Sequence, residues 1–142
     1  MLYRDYVKTI TKCPFCHLTQ KVLLENEHAK LTYALAPYHK YHLLVIPKRH
    51  VEHLKDLEWH EQISITALLS TGIRGLDRFG HNDCSILVKD NHKSIPHLHY
   101  HIIPGGLITD ISLDTEVRKM LTDSEEKLLI SELEKEFEIH NT

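Results

Sequence analysis

The sequence of 142 residues lacks a long hydrophobic run, and this absence limits the classes of protein that it can encode. No stretch of about 18 consecutive apolar residues occurs, so we expect no membrane-spanning helix. Residues 1–8 are too polar for the apolar region of a secretory signal. The sequence therefore predicts neither a membrane span nor export.

Cysteine is also scarce. The chain has three cysteines, an odd number, and two of them form a Cys-x-x-Cys pair. This pattern does not fit the disulfide framework of a secreted domain. We therefore expect a cytoplasmic protein.

Neither sign of charge is in large excess. The formal net charge is −3 and the sequence pI is about 6.5, which argues against a broad nucleic-acid-binding surface, so no nucleic-acid partner is expected. A small basic pocket for a phosphorylated ligand remains compatible with these values. The phosphate-binding motifs G-x-x-x-x-G-K-[ST] and G-x-G-x-x-G are absent, as is the serine elbow G-x-S-x-G.

The pattern of apolar residues predicts one α+β domain over residues 1–142. Segments 21–26 and 30–35 read as a hairpin, and the apolar run 42–46, closed by Pro47, reads as a central strand. Apolar residues at helical spacing predict a helix over 57–77, with Asp56 as its N-cap. The hairpin favours an antiparallel sheet over a doubly wound one.

Further elements follow in the second half of the chain. Residues 84–88 predict a strand, in which Cys84 is a small core residue, and 97–103 predict another. A helix is expected near 123–138, because Thr122 and Glu125 have capping-box spacing.

Histidine is abundant, with thirteen residues, and three of them alternate in His97-Leu98-His99-Tyr100-His101. A strand would place these three imidazoles on one face. The plainer interpretation is a polar face that happens to use histidine. A single metal ion bound to all three does not fit, because the outer Cα atoms of a straight strand lie about 13 Å apart. We therefore expect the three histidines to have different roles.

The pair Cys13 and Cys16 has the spacing of half a zinc site, of a redox dithiol, or of two plain cysteines. A redox site needs a preceding strand, and none is evident. A zinc site needs two further ligands, for which His50 and His97 are candidates.

The segment Pro47-Lys48-Arg49-His50 forms a basic strand end. It is interpreted either as a solvated turn or as a metal ligand, His50, with positive charge from Lys48 and Arg49 beside it. The loop before the histidines adds three side chains that can hydrogen-bond phosphate oxygens, namely Lys89, Lys93 and Ser94.

Together these motifs resemble the histidine-triad (HIT) superfamily. His97-Leu98-His99-Tyr100-His101-Ile102-Ile103 matches its His-φ-His-φ-His-φ-φ signature, where φ is apolar. The run from His42 to His50 resembles the family's H-x-L-V-I-P-K-x-H segment, and Cys13-Pro14-Phe15-Cys16 resembles the start of its zinc-bearing members. The resemblance covers residues 12–106, which leaves 107–142 as a C-terminal extension with a helix.

The resemblance implies a five-stranded antiparallel sheet, two main helices and a homodimer formed by pairing two sheets. It implies a nucleotide hydrolase or nucleotidyl transferase that acts on dinucleoside polyphosphates or nucleoside phosphoramidates. In this reading His99 is the nucleophile that forms a nucleotidyl-histidine intermediate. The implied supporting residues are His101 at the phosphate, Ser94 as a donor to the leaving group and His42 as support for the triad.

The same resemblance implies four ligands for a structural zinc ion, Cys13, Cys16, His50 and His97. It further implies that the substrate contacts Lys89, Lys93, Phe15 and Leu18.

The chain departs from the family pattern in the loop between Val88 and His97, which is shorter than usual and lacks the glycines and glutamine common there, and at two single positions. Ala34 stands where relatives often carry the Asp or Asn that holds the ribose, and Lys89 stands where an amide side chain often contacts phosphate. These departures motivate an alternative function, a nucleotide-binding or scaffold module with little turnover.

Overall fold

The computed structural model describes residues 1–90, 95–105 and 118–140, with side chains described as far as Phe137. Within these residues five strands form one antiparallel sheet in the order β1-β2-β3-β5-β4. The predicted α+β architecture is confirmed. The strands are β1 Leu24–Glu25, β2 Ala29–Tyr33, β3 Leu43–Pro47, β4 Cys84–Val88 and β5 Tyr100–Pro104.

The described helices are α1 Tyr3–Val7, a 3-10 helix Leu54–Asp56, α2 Trp59–Arg78 and α3 Asp123–His140. The prediction of Asp56 as the N-cap of α2 is wrong, because Asp56 lies in the 3-10 helix and Glu58 is the N-cap. The Glu61 carboxylate accepts a 2.9 Å hydrogen bond from the Glu58 amide and so closes the first turn. Among the residues that the structure describes, no helix combines the length and apolar character needed to cross a membrane.

The cap predicted for the last helix is confirmed. The Glu125 amide donates to the Thr122 hydroxyl at 3.2 Å, and the Thr122 amide donates to the Glu125 carboxylate at 2.9 Å. Helix α3 therefore begins where the capping-box spacing placed it.

The main core lies between the sheet and the two long helices. Its members are buried apolar side chains from β2, β3 and β5, joined by Ile65, Leu68 and Leu76 of α2. From α3 it receives Leu129, Leu133 and Phe137. The C-terminal extension thus completes the same hydrophobic core as the motif-bearing sheet.

Gly75 allows the two long helices to approach each other. A Cβ atom at Gly75 would lie 2.4 Å from Cζ of Phe137, whose ring is fully buried. We expect Gly75→Ala to lower the free energy of unfolding by about 1–3 kcal/mol, because overpacking outweighs the gain in helix propensity. Urea unfolding measures this change. Thr66→Ala, on the exposed side of α2, is the matched control and should change stability by less than about 0.5 kcal/mol. Equal stability of the two variants would contradict the packing argument.

The strand that carries the histidines is shorter than predicted. It begins at Tyr100, where it pairs with Val45, so that His97 and His99 precede it. The amide of Leu98 donates to the Val51 carbonyl at 2.7 Å, outside the ladder of β3. The alternation of side chains nevertheless continues through these residues, because Leu98, Tyr100 and Ile102 all pack against the main core.

Candidate active site

The three histidines of the triad lie on the sheet face that is opposite the main core. Their side chains are buried, with exposed fractions of 1% for His97, 7% for His99 and 7% for His101. The imidazoles of His99 and His101 have ring centroids 5.0 Å apart, whereas His97 turns toward the two cysteines. The structure therefore separates one histidine from the other two.

His99 is held in one tautomer by the main chain. Its Nδ1–H donates a 2.8 Å hydrogen bond to the carbonyl of His97. In neutral imidazole the proton on Nδ1 leaves the lone pair on Nε2. The ring of Phe15, whose centroid is 4.7 Å away, packs against the imidazole. His99 thus presents a nucleophilic nitrogen in a fixed orientation.

His101 is held in the opposite tautomer by a chain of donors. The amide of Tyr38 donates to Nδ1 of His42 at 3.1 Å, so the proton of His42 is on Nε2. That Nε2–H donates to Nδ1 of His101 at 2.8 Å. The remaining proton of neutral His101 is therefore on Nε2, where it can donate a hydrogen bond.

Burial keeps these imidazoles neutral. It lowers the pKa of His42 to about 3 and that of His99 to about 4, and the charge of Arg118 contributes to both shifts. The pKa of His101 is also well below its ordinary value, because of burial and then the neighbouring His42. At neutral pH His99 therefore has a lone pair, and His101 an N–H, for which the described residues give no hydrogen-bond partner.

The four predicted metal ligands converge. The ligand atoms of Cys13, Cys16, His50 and His97 all lie within 4.8 Å of one another. Sγ of Cys13 is 3.3 Å from Nδ1 of His97, and Sγ of Cys16 is 3.2 Å from Nδ1 of His50. A tetrahedral ion with metal–sulfur bonds of about 2.3 Å and metal–nitrogen bonds of about 2.0–2.1 Å requires sulfur–nitrogen separations of about 3.5 Å. The group therefore fits a metal ion.

The surroundings of this group orient it for metal binding. Nε2–H of His97 donates to the carbonyl of Pro47 at 2.9 Å, so the lone pair of its Nδ1 faces the thiols. Arg49 does not add free positive charge beside His50, because its guanidinium forms two hydrogen bonds to the buried Glu61, at 2.7 and 3.1 Å. The basic strand end thus anchors the loop that carries His50.

A pocket opens beside His99 and His101. It is partly open to solvent. Phe15 lines it, and Leu18 packs against the cluster of Phe15, Leu44 and Ile95. Their contact with a substrate stays a prediction. The described lining residues are Tyr3, Tyr6, Pro14, Phe15, Gln20, Ala34, Leu35, Ala36, Leu44, Ile95, His99, His101 and Arg118.

The predicted phosphate-binding residues are only partly described. Lys89 follows β4, and its charge acts on both His99 and His101, which places it close to the pocket. Burial lowers the pKa of its own amine. The predictions for Lys93 and Ser94 lie outside the described residues.

Sequence reasoning missed Arg118 and the tyrosines of α1. Arg118 comes from the C-terminal extension and has no recognisable motif around it. Its guanidinium lies 4.5 Å from the centroid of the Tyr3 ring and 4.1 Å from that of Tyr38. These contacts join distant parts of the sequence, so no local pattern could have indicated them.

The sequence model of the HIT domain matches residues 17–106 of this chain. The chain belongs to the HIT domain family. Among characterised HIT proteins, adenosine 5′-monophosphoramidase HINT3 of Mus musculus is 29% identical over 104 residues, covering 66% of this chain and 63% of that protein. An uncharacterised HIT-like protein of Methanocaldococcus jannaschii is 27% identical over 100 residues, covering 65% and 78%.

Solved HIT structures share the fold. A hypothetical histidine triad nucleotide-binding protein of Sulfolobus tokodaii superposes with a TM-score of 0.73 at 24% identity, covering 89% of this chain and 93% of that chain. Diadenosine triphosphate hydrolase of Plasmodium falciparum gives 0.68 at 20% identity, covering 87% and 80%. A zinc-bound HIT protein of Mycobacterium smegmatis gives 0.62 at 19% identity, covering 91% and 96%.

Proposed function

We propose that this HIT protein is a nucleotide hydrolase or nucleotidyl transferase that acts at the α-phosphate through a nucleotidyl-histidine intermediate on His99. The observation that carries the proposal is the 2.8 Å hydrogen bond from Nδ1–H of His99 to the His97 carbonyl. It leaves Nε2 as the nucleophilic atom, beside the pocket that His99 and His101 line.

The reaction divides into two displacements. Nε2 of His99 attacks the α-phosphorus, a phosphorus–nitrogen bond forms, and the bond to the leaving group breaks with its electron pair on the departing nitrogen or oxygen. That atom takes up a proton, for which we propose Ser94 as the donor. Water, or another acceptor in a transferase, then attacks the phosphorus and gives its proton to Ser94, which restores the hydroxyl. The phosphorus–nitrogen bond breaks at the same time, with its electron pair on Nε2 of His99.

The neighbouring groups stabilise the charge that develops on the phosphate. We assign the Nε2–H of His101 as a donor to a phosphate oxygen, because its Nδ1 already accepts from His42. Lys89 and Lys93 are proposed to add positive charge at the same phosphate. Phe15 and Leu18 are proposed to form the apolar wall for the base.

The relatives support two classes of substrate. The mouse relative is an adenosine 5′-monophosphoramidase, and the Plasmodium structure is a diadenosine triphosphate hydrolase. Phosphoramidates and dinucleoside polyphosphates share an electrophilic α-phosphorus that bears a nucleoside. Either class is therefore consistent with attack by His99.

We propose that Cys13, Cys16, His50 and His97 hold a structural zinc ion. The two thiols and two imidazoles have the composition of a closed Cys₂His₂ site. When bound, zinc would join the N-terminal segment to β3 and to the segment before β5. The zinc-bound Mycobacterium structure supports this assignment.

Peptide mass spectrometry tests the nucleophile. Wild-type protein is mixed with adenosine 5′-phosphoramidate, quenched within one turnover and digested. We expect an added adenylyl group on the peptide that contains His99. Tight nucleotide binding with neither an adduct nor turnover would instead favour the alternative of a binding or scaffold module.

His42 should act as a positioning residue for His101. Replacing His42 with leucine removes the donor to Nδ1 of His101, so we expect kcat to fall by about 10–100-fold. His42→Gln keeps an N–H near the position of Nε2 and should recover most of the loss. Steady-state kinetics on the phosphoramidate compares the two variants. Equal losses in both would indicate that His42 contributes only to packing.

The homodimer implied by the triad motif stays a prediction. Strand β4 is at one edge of the described sheet, and the side chain of Ile86 on it is 48% exposed. An edge strand of this kind can pair with a second copy. We propose β4 as the pairing edge.

A further inference from the structure

Gln20 is a buried polar side chain in the wall of the pocket, and the proposed reaction does not use it. Its side chain is 7% exposed, and it lines the same pocket as His99 and His101. Buried amide groups normally have hydrogen-bond partners for both the nitrogen and the oxygen. The partners that Gln20 has and lacks therefore indicate what the pocket can recognise.

The side-chain amide of Gln20 is fixed in one orientation by the main chain. Its Nε2 donates a 3.2 Å hydrogen bond to the carbonyl of Tyr33. A carbonyl oxygen accepts hydrogen bonds and cannot donate them, so the nitrogen of the amide must face Tyr33. Oε1 of Gln20 therefore points away from β2. The Tyr33 carbonyl is available for this bond because β1 pairs with Lys30 and Leu31 and does not extend to Tyr33.

Oε1 of Gln20 is an acceptor without a partner. None of the hydrogen bonds between described residues uses this atom. The fully enclosed side-chain atom that lacks a partner in the described residues is Nε of Arg118, so Oε1 of Gln20 is not enclosed in the same way. It retains contact with solvent, and the position of Gln20 in the pocket wall places that contact in the pocket. A ligand that donates a hydrogen bond there would pair an otherwise unpaired oxygen.

One peptide group connects Gln20 to the histidines of the site. The carbonyl and the N–H of a trans peptide point in opposite directions. The Tyr33 carbonyl accepts from Gln20 on one side of β2. On the other side the Ala34 amide donates to the His42 carbonyl at 2.9 Å. The ring of His42 donates to His101 at 2.8 Å, so a single residue of β3's approach separates the Gln20 anchor from the triad.

A nucleotide whose phosphorus is at His99 extends away from β5, and Gln20 lies in that direction. Tyr33 pairs with Leu43 of β3, which pairs with Ile102 of β5. The Tyr33 carbonyl is therefore two strand spacings, roughly 10 Å, from the triad strand. In a nucleotide the ribose directly follows the phosphate, and its hydroxyls are the first donors beyond it.

The rest of the described lining offers no carboxylate for these hydroxyls. A carboxylate is the group that accepts from the ribose in dinucleotide-binding folds. Ala34, beside the Gln20 anchor, is apolar and packs with Phe15 and Leu44. The oriented amide oxygen of Gln20 can serve as the acceptor instead, and it can do so without adding negative charge near the phosphate.

We propose that Oε1 of Gln20 accepts a hydrogen bond from a ribose hydroxyl, and that Gln20 thereby makes the protein prefer ribonucleotides to deoxyribonucleotides. The proposal rests on the proposed function, because it places the phosphorus of the nucleotide at His99. Gln20 is a binding residue in this proposal and takes no part in bond breaking.

Isothermal titration calorimetry with wild-type protein tests the preference. The ligands are AMP, 2′-deoxy-AMP and 3′-deoxy-AMP. We expect at least one of the two deoxynucleotides to bind about three- to tenfold more weakly than AMP, which is the effect of losing one neutral hydrogen bond. The deoxynucleotide that loses affinity identifies the hydroxyl that is bound.

A variant with a side chain of similar length assigns the preference to Gln20. Gln20→Met cannot accept the hydrogen bond, so we expect AMP and the deoxynucleotides to bind it equally. Loss of the bond to Tyr33 alone would weaken all three ligands by the same factor, so the ratio of their affinities separates recognition from structure. The matched control is Gln62→Met, which should keep the wild-type ratio because Gln62 is exposed on α2 and does not line this pocket.

The outcomes separate the two proposals. Equal binding of all three ligands to wild-type protein would overturn the role of Gln20 and leave the proposed reaction intact. An unchanged preference in Gln20→Met would also overturn it, because another residue would then bind the hydroxyl. If Gln20→Met does not fold, Gln20→Asn replaces it, and this shorter amide should reduce the preference. Failure of every nucleotide to bind would overturn the proposed function itself.

Discussion

We expect replacement of His99 with alanine to lower kcat/KM for adenosine 5′-phosphoramidate by at least about 10⁴-fold, because the proposed covalent intermediate can no longer form. The main-chain bond from Nδ1 means that the imidazole of His99 is already oriented for attack before substrate binds. The residual rate of the variant is measured from the release of AMP, which is monitored by chromatography over several hours.

The matched control for this variant is His60→Ala. His60 is exposed on α2, where its Nε2 lies 3.0 Å from the Glu58 carboxylate, and it does not line the described pocket. This control should turn over at the wild-type rate. If His99→Ala and His60→Ala were equally active, His99 could not be the nucleophile.

We expect removal of the proposed zinc ion to lower the melting temperature by at least about 10 °C. Structural zinc in zinc-finger peptides contributes about 10–16 kcal/mol near neutral pH, and 1 kcal/mol corresponds to about 2–4 °C in a domain of this size. We expect a shift smaller than the full zinc-finger value, because the hydrophobic core also stabilises this domain when zinc is absent. Thermal unfolding with and without a zinc chelator measures the shift.

The third cysteine provides the control for the metal site. Cys84 packs against the main core, away from the cluster, so Cys84→Ser should retain one zinc per chain. Cys16→Ser should lose it. Elemental analysis of freshly purified protein decides the matter, and a wild-type chain without stoichiometric metal would exclude the assignment.

Much of the fold could be predicted because its signals are local. The strand Cys84–Val88 and the cap at Thr122 depend on neighbouring residues, and both occur where predicted. The start of β5 could not be predicted. The β3–β5 ladder extends only from Leu43–Ile102 to Val45–Tyr100, and Pro47 uses its carbonyl for the side chain of His97.

The candidate site also has a part that the sequence could predict and a part that it could not. The three histidines of the triad are close to one another in sequence, and so are the two cysteines, which made both motifs recognisable. That Cys13 and Cys16 meet His50 and His97 was implied by the resemblance to the HIT family, because these residues are far apart in sequence. Arg118 and Tyr3 reach the pocket through contacts between the two ends of the described chain, including the bridge between Leu2 and Lys119. Long-range packing of this kind leaves no periodic trace in the sequence.

His97 serves two partners with different atoms. Its imidazole belongs to the metal-binding group, whereas its carbonyl fixes the proton of His99. Every amino acid has that carbonyl. We therefore expect mutation at this position to remove one ligand of the proposed zinc ion, and to affect the proposed nucleophile only through movement of the backbone. In evolutionary terms, a descendant that abandoned both cysteines could also exchange residue 97. It would keep the orientation of His99 as long as the hydrogen bond from the Leu98 amide to the Val51 carbonyl held the main chain before β5 in place.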